Sequence, residues 1–235
     1  MPDHGHSQHE IEARIESATG HGVLRDTVYG AIDGAVTTFA IVAGVAGAGL
    51  SPFVIVALGL ANVLADGFSM AAGNYSGTKA EKDNMLRLRA VEERHIATNP
   101  EGERRELRHI LSLKGLSGDV LEQATDEIAR HHDNWIELML EGEYGLSNTM
   151  PHPMRGALAT FGAFLVAGMI PLLPFLFGVQ NAFVVSSGMT LAVFFAIGAL
   201  KSKWSIETRW RSGIETFLIG GFAAGIASFV GSLFH

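Results

Sequence analysis

The sequence predicts an all-α integral membrane protein with five transmembrane helices and a three-helix cytoplasmic insert between the second and third. Three observations lead there. Hydrophobic residues make up 48% of the 235 and charged residues only 17%, where ordinary soluble domains carry about a quarter charged. The charge that remains is concentrated, with 15 of the 24 Asp and Glu and ten of the 17 Lys and Arg falling in residues 79–146. On both sides of that block the chain is apolar in runs long enough to cross a bilayer, which takes about 20 residues at ~1.5 Å each.

Composition also excludes. There is no cysteine, so disulfides, zinc–thiolate sites, iron–sulfur clusters and thiol catalysis are absent together. A net charge of −7 supplies no basic footprint for nucleic acid. Mean hydropathy is +0.25, and the 28 glycines exceed the usual share of about 7%.

The elements follow in chain order. Residues 1–26 form a cytoplasmic segment carrying His4, His6, His9 and His21, with no apolar core before Arg25, so no cleaved signal is expected. Residues 10–17 suit a short interfacial helix. Residues 27–78 hold spans one and two, placed at 27–49 and 53–75. Residues 79–146 are the cytoplasmic helical domain. The second span continues through Lys79 into a charged helix ending near Thr98. Asn99-Pro100 restarts a helix, with Asn as N-cap and Pro in the first helical position. That helix ends at Lys114-Gly115, and Ser117 caps a third running to Gly145. This domain has few apolar residues of its own, so dimerisation is expected to complete its core. Residues 147–235 hold spans three to five, at 157–177, 182–200 and 213–234. Pro171 and Pro174 predict a kink or an irregular segment in span three.

Orientation comes from the loops. The turns at 48–52 and 178–182 lack Lys and Arg, whereas Lys201, Lys203, Arg209 and Arg211 follow span four. The positive-inside rule then places the N-terminus and the 79–146 block inside and His235 outside.

Two groups of residues point to chemistry. Asp33 lies about two turns into span one and Asp66 near the middle of span two. A carboxylate at that depth costs a few kcal/mol or more, so it usually faces a polar pathway. Asn62, Asp66 and Met70 recur every four residues as one stripe of amide, carboxylate and thioether. The soft thioether favours a borderline transition metal over Mg²⁺ or Na⁺. The bland alternative is that each Asp merely bonds a neighbouring helix. Glu215 reads as interfacial. In the acidic block, Glu92 and His95, Glu103 and Glu106, and Glu106 and His109 are each three apart and share a helix face. Carboxylate and imidazole from facing helices suit iron, manganese or zinc. Met139, Glu141 and Glu143 end the third helix. The competing reading is a solvated face with ordinary ion pairs such as Glu101–Arg105 or Glu103–Arg108. The glycine pairs Gly30/Gly34 and Gly221/Gly225, and the run 44–49, read as close helix contacts.

These residues resemble the vacuolar iron transporter family. Asp33-Gly34 within residues 29–47, Phe68-Ser69-Met70-Ala71-Ala72-Gly73-Asn74-Tyr75, the 100–110 helix with Glu-x-x-Glu-Leu, Glu143-Tyr144-Gly145-Leu146 and Ile170-Pro171-Leu172-Leu173-Pro174 carry the resemblance. It implies a homodimeric transporter exchanging Fe²⁺, often Mn²⁺, for protons and moving metal out of the cytoplasm, without a prosthetic group. It implies metal ligands at Glu92, Glu103, Glu106, Met139 and Glu143, and a pathway through Asp33 and Met70. Three positions depart from the family pattern: His95 replaces a glutamate, a methionine pair is reduced to Met139-Leu140, and Asn62/Asp66 stand where glutamate and methionine are expected. The full expected metal set is Glu92, His95, Glu103, Glu106, Met139 and Glu143; the expected pathway is Asp33, Asn62, Asp66 and Met70. The expected location is a bacterial inner membrane, or a vacuolar-type membrane in a eukaryote. The rival readings are a di-iron ferroxidase, from the two Glu-x-x-His steps, and a metal-buffering membrane protein.

Overall fold

A computed structural model describes residues 7–17, 23–146 and 149–233. Those residues are helical with no strand among them. The helices are α1 (Gln8–Ser17), α2 (Leu24–Gly47), α3 (Pro52–Thr98), α4 (Pro100–Leu113), α5 (Gly118–Ala129), α6 (His132–Tyr144), α7 (Pro153–Met169), α8 (Leu173–Leu176), α9 (Ala182–Lys201) and α10 (Arg209–Ser232). Five stretches are long and apolar enough to cross a membrane: α2, α3, Pro153–Leu176, α9 and α10. The predicted spans are thus present, each shifted by a few residues. His9 lies in α1, while His4, His6, His21 and His235 lie outside the described residues.

The chain separates into two compact units, one holding α1 with residues 78–152 and the other residues 23–77 with 153–233. The apolar unit is held by backbone proximity more than by large side chains, because lipid removes the hydrophobic drive between helices. A Cβ on Gly30 would collide with the Thr160 carbonyl oxygen, and one on Gly34 would lie 2.5 Å from that of Phe164. Helices α2 and α7 therefore touch main chain to main chain. Gly47 meets Gly231 in the same manner, joining α2 to α10. Around this seam Val42, Val45, Ile55, Val63 and Leu172 form one buried cluster, and Ala35, Ala167 and Phe194 another.

The Gly221/Gly225 pair behaves otherwise. A Cβ at Gly225 would meet nothing within 4 Å, and one at Gly221 only Leu191 at 3.5 Å. The tight face of α10 passes through Gly213 and Gly220, which pack on Phe195 and Phe194 of α9, and through Thr216, which sits against Gly198. The sequence pair lies one position off that face. In span three, the helix breaks into a 3-10 turn over Ile170–Leu172 before α8. The prolines cannot supply N–H groups there, and the Ser186 hydroxyl of α9 donates to the Pro171 carbonyl at 2.7 Å. A freed backbone acceptor is thereby satisfied inside the unit.

The polar unit contains the far part of α3 and α4 to α6. Asn99 alone separates α3 from α4, accepting from the Gly102 N–H at 3.2 Å, with Pro100 beginning the helix. The expected single helix from Ser117 to Gly145 is instead two, α5 and α6, parted at Arg130-His131. The run from Arg130 to Asn134 is polar and exposed, so no buried side chain holds it straight. The break lets Trp135, Ile136, Met139 and Leu140 enter a core with Leu88, Ile96, Leu107, Ile110, Leu111 and Leu121. One chain encloses this core, so core completion is no argument for a dimer. Arg108 pairs with Glu122 at 2.6 Å and Arg104 with Asp126, tying α4 to α5; Arg108 is not the partner of Glu103 expected from spacing.

The seam yields a direct prediction. Gly34→Ala should destabilise the protein by about 1–3 kcal/mol through overpacking, lowering its thermal midpoint in detergent. Gly225→Ala should leave that midpoint unchanged or slightly raised, since alanine is the better helix former.

Candidate functional site

The polar unit brings three sequence-predicted residues together. Ligand atoms of Glu92, His95 and Glu103 all lie within 4.8 Å of one another. Glu92 and His95 sit one turn apart on α3, and the Asn99 corner swings Glu103 of α4 against them. His95 Nδ1 is 3.6 Å from Glu103 Oε1. Their surroundings differ: Glu92 is wholly buried, Glu103 is 5% exposed, and the His95 side chain is half in solvent.

Hydrogen bonding leaves this group incomplete. The Tyr144 hydroxyl donates to Glu92 Oε1 at 2.9 Å, while Glu92 Oε2 and Glu103 Oε2 are buried without a partner. A buried acceptor without a donor costs about 1–3 kcal/mol, and a buried carboxylate normally recruits a cation or a proton. Burial first, then the charges of Glu106 and Glu92, push the Glu103 carboxyl up to about 7, with His95 opposing. Glu143 is also raised, by desolvation and then by Glu92 and Glu106. Burial and the bond to Glu92 raise the Tyr144 phenol.

The remaining expected residues divide. Glu106 and Glu143 are exposed yet lie within electrostatic reach of Glu103. Met139 is entirely buried in the core among apolar side chains. His109 is exposed and stands outside the three-residue group, so the second Glu-x-x-His step is not assembled with the first.

In the apolar unit Asn62, Asp66 and Met70 are all half-buried along one face of α3. The Asn62 amide donates to the Thr37 hydroxyl of α2 at 3.5 Å. Asp33 is within electrostatic reach of Asp66 and lines an open cavity of about 460 Å³ with Arg25, Tyr29 and Lys201. Asn62 lines a different cavity, beside Gly44, Ala61 and Ala65. Glu215 faces Lys201 at 3.9 Å, both partly exposed, a pair of little energetic worth.

Two participants, Tyr144 and Asn74, entered the sequence reading only as letters of the resemblance motifs, with no role assigned. Asn74 continues the four-residue stripe from Asn62 by one further step, and its amide donates to Asp26 at 2.9 Å and to Thr160 at 2.7 Å. That network ties α2, α3 and α7 together; extending the stripe would have revealed it.

Two outcomes are expected in the metal-free protein. Tyr144→Phe removes the donor to a buried carboxylate and should cost about 1–3 kcal/mol, seen as faster hydrogen exchange in α6. The Glu103 value is raised from 4.5 in the unfolded chain to about 7. The folded state therefore holds that proton more tightly, and the stability it contributes is complete below 4.5 and lost as pH rises through 7. Protection of α4 and α6 amides, after correction for intrinsic exchange, should fall between pH 5 and 8, and Glu103→Gln should flatten the fall.

The VIT family model matches residues 24–232. Among curated relatives, vacuolar iron transporter 1 of Oryza sativa subsp. japonica is 31% identical over 225 residues, spanning 94% of this chain and 88% of its own. Vacuolar iron transporter 1 of Arabidopsis thaliana is 31% identical over 214 residues, spanning 89% and 85% respectively. The vacuolar iron transporter of Toxoplasma gondii is 33% identical over 227 residues, spanning 92% and 75%. With membrane-crossing helices in the same chain as the acidic cluster, and matches of this extent, the protein is a multi-pass membrane protein that belongs to the VIT family.

Proposed function

We propose that this chain is a proton-coupled transporter moving divalent transition metal, Fe²⁺ and/or Mn²⁺, out of the cytoplasm. One observation carries the reading: two buried carboxylate oxygens without partners, on Glu92 and Glu103, stand beside His95 in a chain whose spans hold Asp33 and Asp66. Relatives bearing the name vacuolar iron transporter support the same class of cargo.

In this reading Glu92, His95 and Glu103 collect the ion on the cytoplasmic side, with Glu106 and Glu143 raising the local negative potential and Met139 closing the site from the core. The ion then passes to the stripe of Met70, Asp66 and Asn62 and to Asp33. Protonation of an intramembrane carboxylate from the opposite side weakens its hold on the metal, which releases the ion and couples its exit to proton entry. Asn62, Asp66 and Met70 remain half-buried in a single chain, and a second copy is the natural cover for them, so the working unit is a homodimer. Its membrane is the cell membrane of a bacterium or a vacuolar-type membrane of a eukaryote. No resident cofactor is needed; the metal is cargo.

Flux in proteoliposomes with an imposed proton gradient tests this. Fe²⁺ or Mn²⁺ should accumulate only with the gradient, and Asp66→Asn and Asp33→Ala should each abolish accumulation. Tight binding with no flux of either ion would overturn transport. Oxygen consumption on adding Fe²⁺ would then point to the ferroxidase alternative.

A further inference from the structure

We infer that His95 sets the ion preference of the collecting site, turning it toward imidazole-binding ions such as Fe²⁺, Co²⁺ and Zn²⁺ and away from Mn²⁺, Ca²⁺ and Mg²⁺. This rests on the proposed metal role of the cluster and goes beyond it by naming what selects the cargo.

The donor set carries the argument. Among the described residues, the carboxylates of Glu92 and Glu103 and the imidazole of His95 offer ligand atoms within 4.8 Å of one another. The carboxylates supply two negative charges, which balance a divalent ion; a third carboxylate at position 95 would leave an excess that attracts any hard cation. Ca²⁺ takes six to eight oxygen ligands and Mg²⁺ an octahedral shell. This site offers far fewer oxygens, and one of the two on Glu92 is already engaged by Tyr144. A nitrogen donor favours Fe, Ni, Cu and Zn, whereas all-oxygen sets suit Mn, Mg and Ca.

His95 is also placed to ligate. Its Nδ1 already faces Glu103 Oε1 at 3.6 Å, and half of the side chain remains accessible to an arriving ion. The two unpartnered oxygens are buried on Glu92 and Glu103, so the site has a buried floor of carboxylate oxygens and one exposed imidazole. Substitution at that exposed position changes the chemistry offered to the ion while leaving the buried carboxylates in place.

The test is competition binding on purified full-length protein in nanodiscs, using Co²⁺ as an air-stable probe against Mn²⁺ and Ca²⁺. The wild-type protein should prefer Co²⁺ over Mn²⁺. His95→Glu should shrink that preference by at least the roughly tenfold that loss of a mere outer-shell partner costs a metal site, and strengthen Ca²⁺ binding. Pulsed EPR of the Mn²⁺-loaded wild-type protein should show coupling to an imidazole nitrogen that is lost in His95→Gln, a readout independent of affinity. An unchanged ion preference in His95→Glu, or no nitrogen coupling, overturns the role of His95. Glu92→Gln with Glu103→Gln separates the two readings: if that pair removes one bound Co²⁺ per chain while His95→Glu leaves the preference intact, the site stands and only the selectivity assignment falls. If the pair binds Co²⁺ as the wild type does, the collecting site itself is wrong and the selectivity assignment falls with it.

Discussion

The apolar unit depends on one seam, where α2 and α7 meet with no side chain between them. Gly30 and Gly34 bring the α2 backbone against the carbonyls of Thr160 and Phe164. In hydrocarbon this matters more than in water, because association must come from close packing and polar contacts rather than from expulsion of solvent. The closeness of the seam is what allows Asn74 of α3 to bond both Asp26 of α2 and Thr160 of α7. A single amide can bridge three helices only where two of them are already in contact. The Gly47–Gly231 approach extends the same economy of side chains to α10.

The polar unit answers to a different constraint. Its surface is rich in charged side chains, so apolar burial drives its assembly, and α4 and α6 supply most of the core. Glu92 and Glu103 are buried in that unit against the usual preference of carboxylates. The cost is concentrated at two oxygens that have no donor, with Tyr144 supporting one of the other two. The Trp135 indole N–H is also buried without a partner, and neither Ser117 nor His131 caps its helix with a side-chain bond; what sets Glu92 and Glu103 apart is that theirs are carboxylate oxygens converging with an imidazole.

Much of this was legible in the sequence because it rests on local periodicity. The five apolar runs, the passage of the second span into a charged helix, and the Asn99-Pro100 restart are local signals, and each appears where spacing puts it. The steps Glu92/His95 and Glu103/Glu106 singled out three residues that converge, Glu92, His95 and Glu103, together with Glu106, which with His109 stands outside that group. What was not legible depends on rotation about a helix axis or on distant partners. Gly221/Gly225 satisfies the small-residue pattern, yet the packed face of α10 lies one position away at Gly220. The division of α5 from α6 turns on which side chains reach the core, which a run of polar residues does not reveal. Tyr144 reaches Glu92 from more than fifty positions along the chain, and no short-range pattern announces it.

The Asn99 corner has a consequence for the order of folding. Glu92, His95 and Glu103 come from two consecutive helices joined by one residue, so closing them into a group sacrifices little chain entropy, and contacts so near in sequence form fast. This acidic corner is synthesised before Tyr144 and before the last three spans leave the ribosome. Their arrival is not needed to bring these three side chains together; α6 then adds the Tyr144 donor and the burial. The residues of this corner are therefore all present in the nascent chain before α6 supplies their cover, and the finished cluster waits on that later helix.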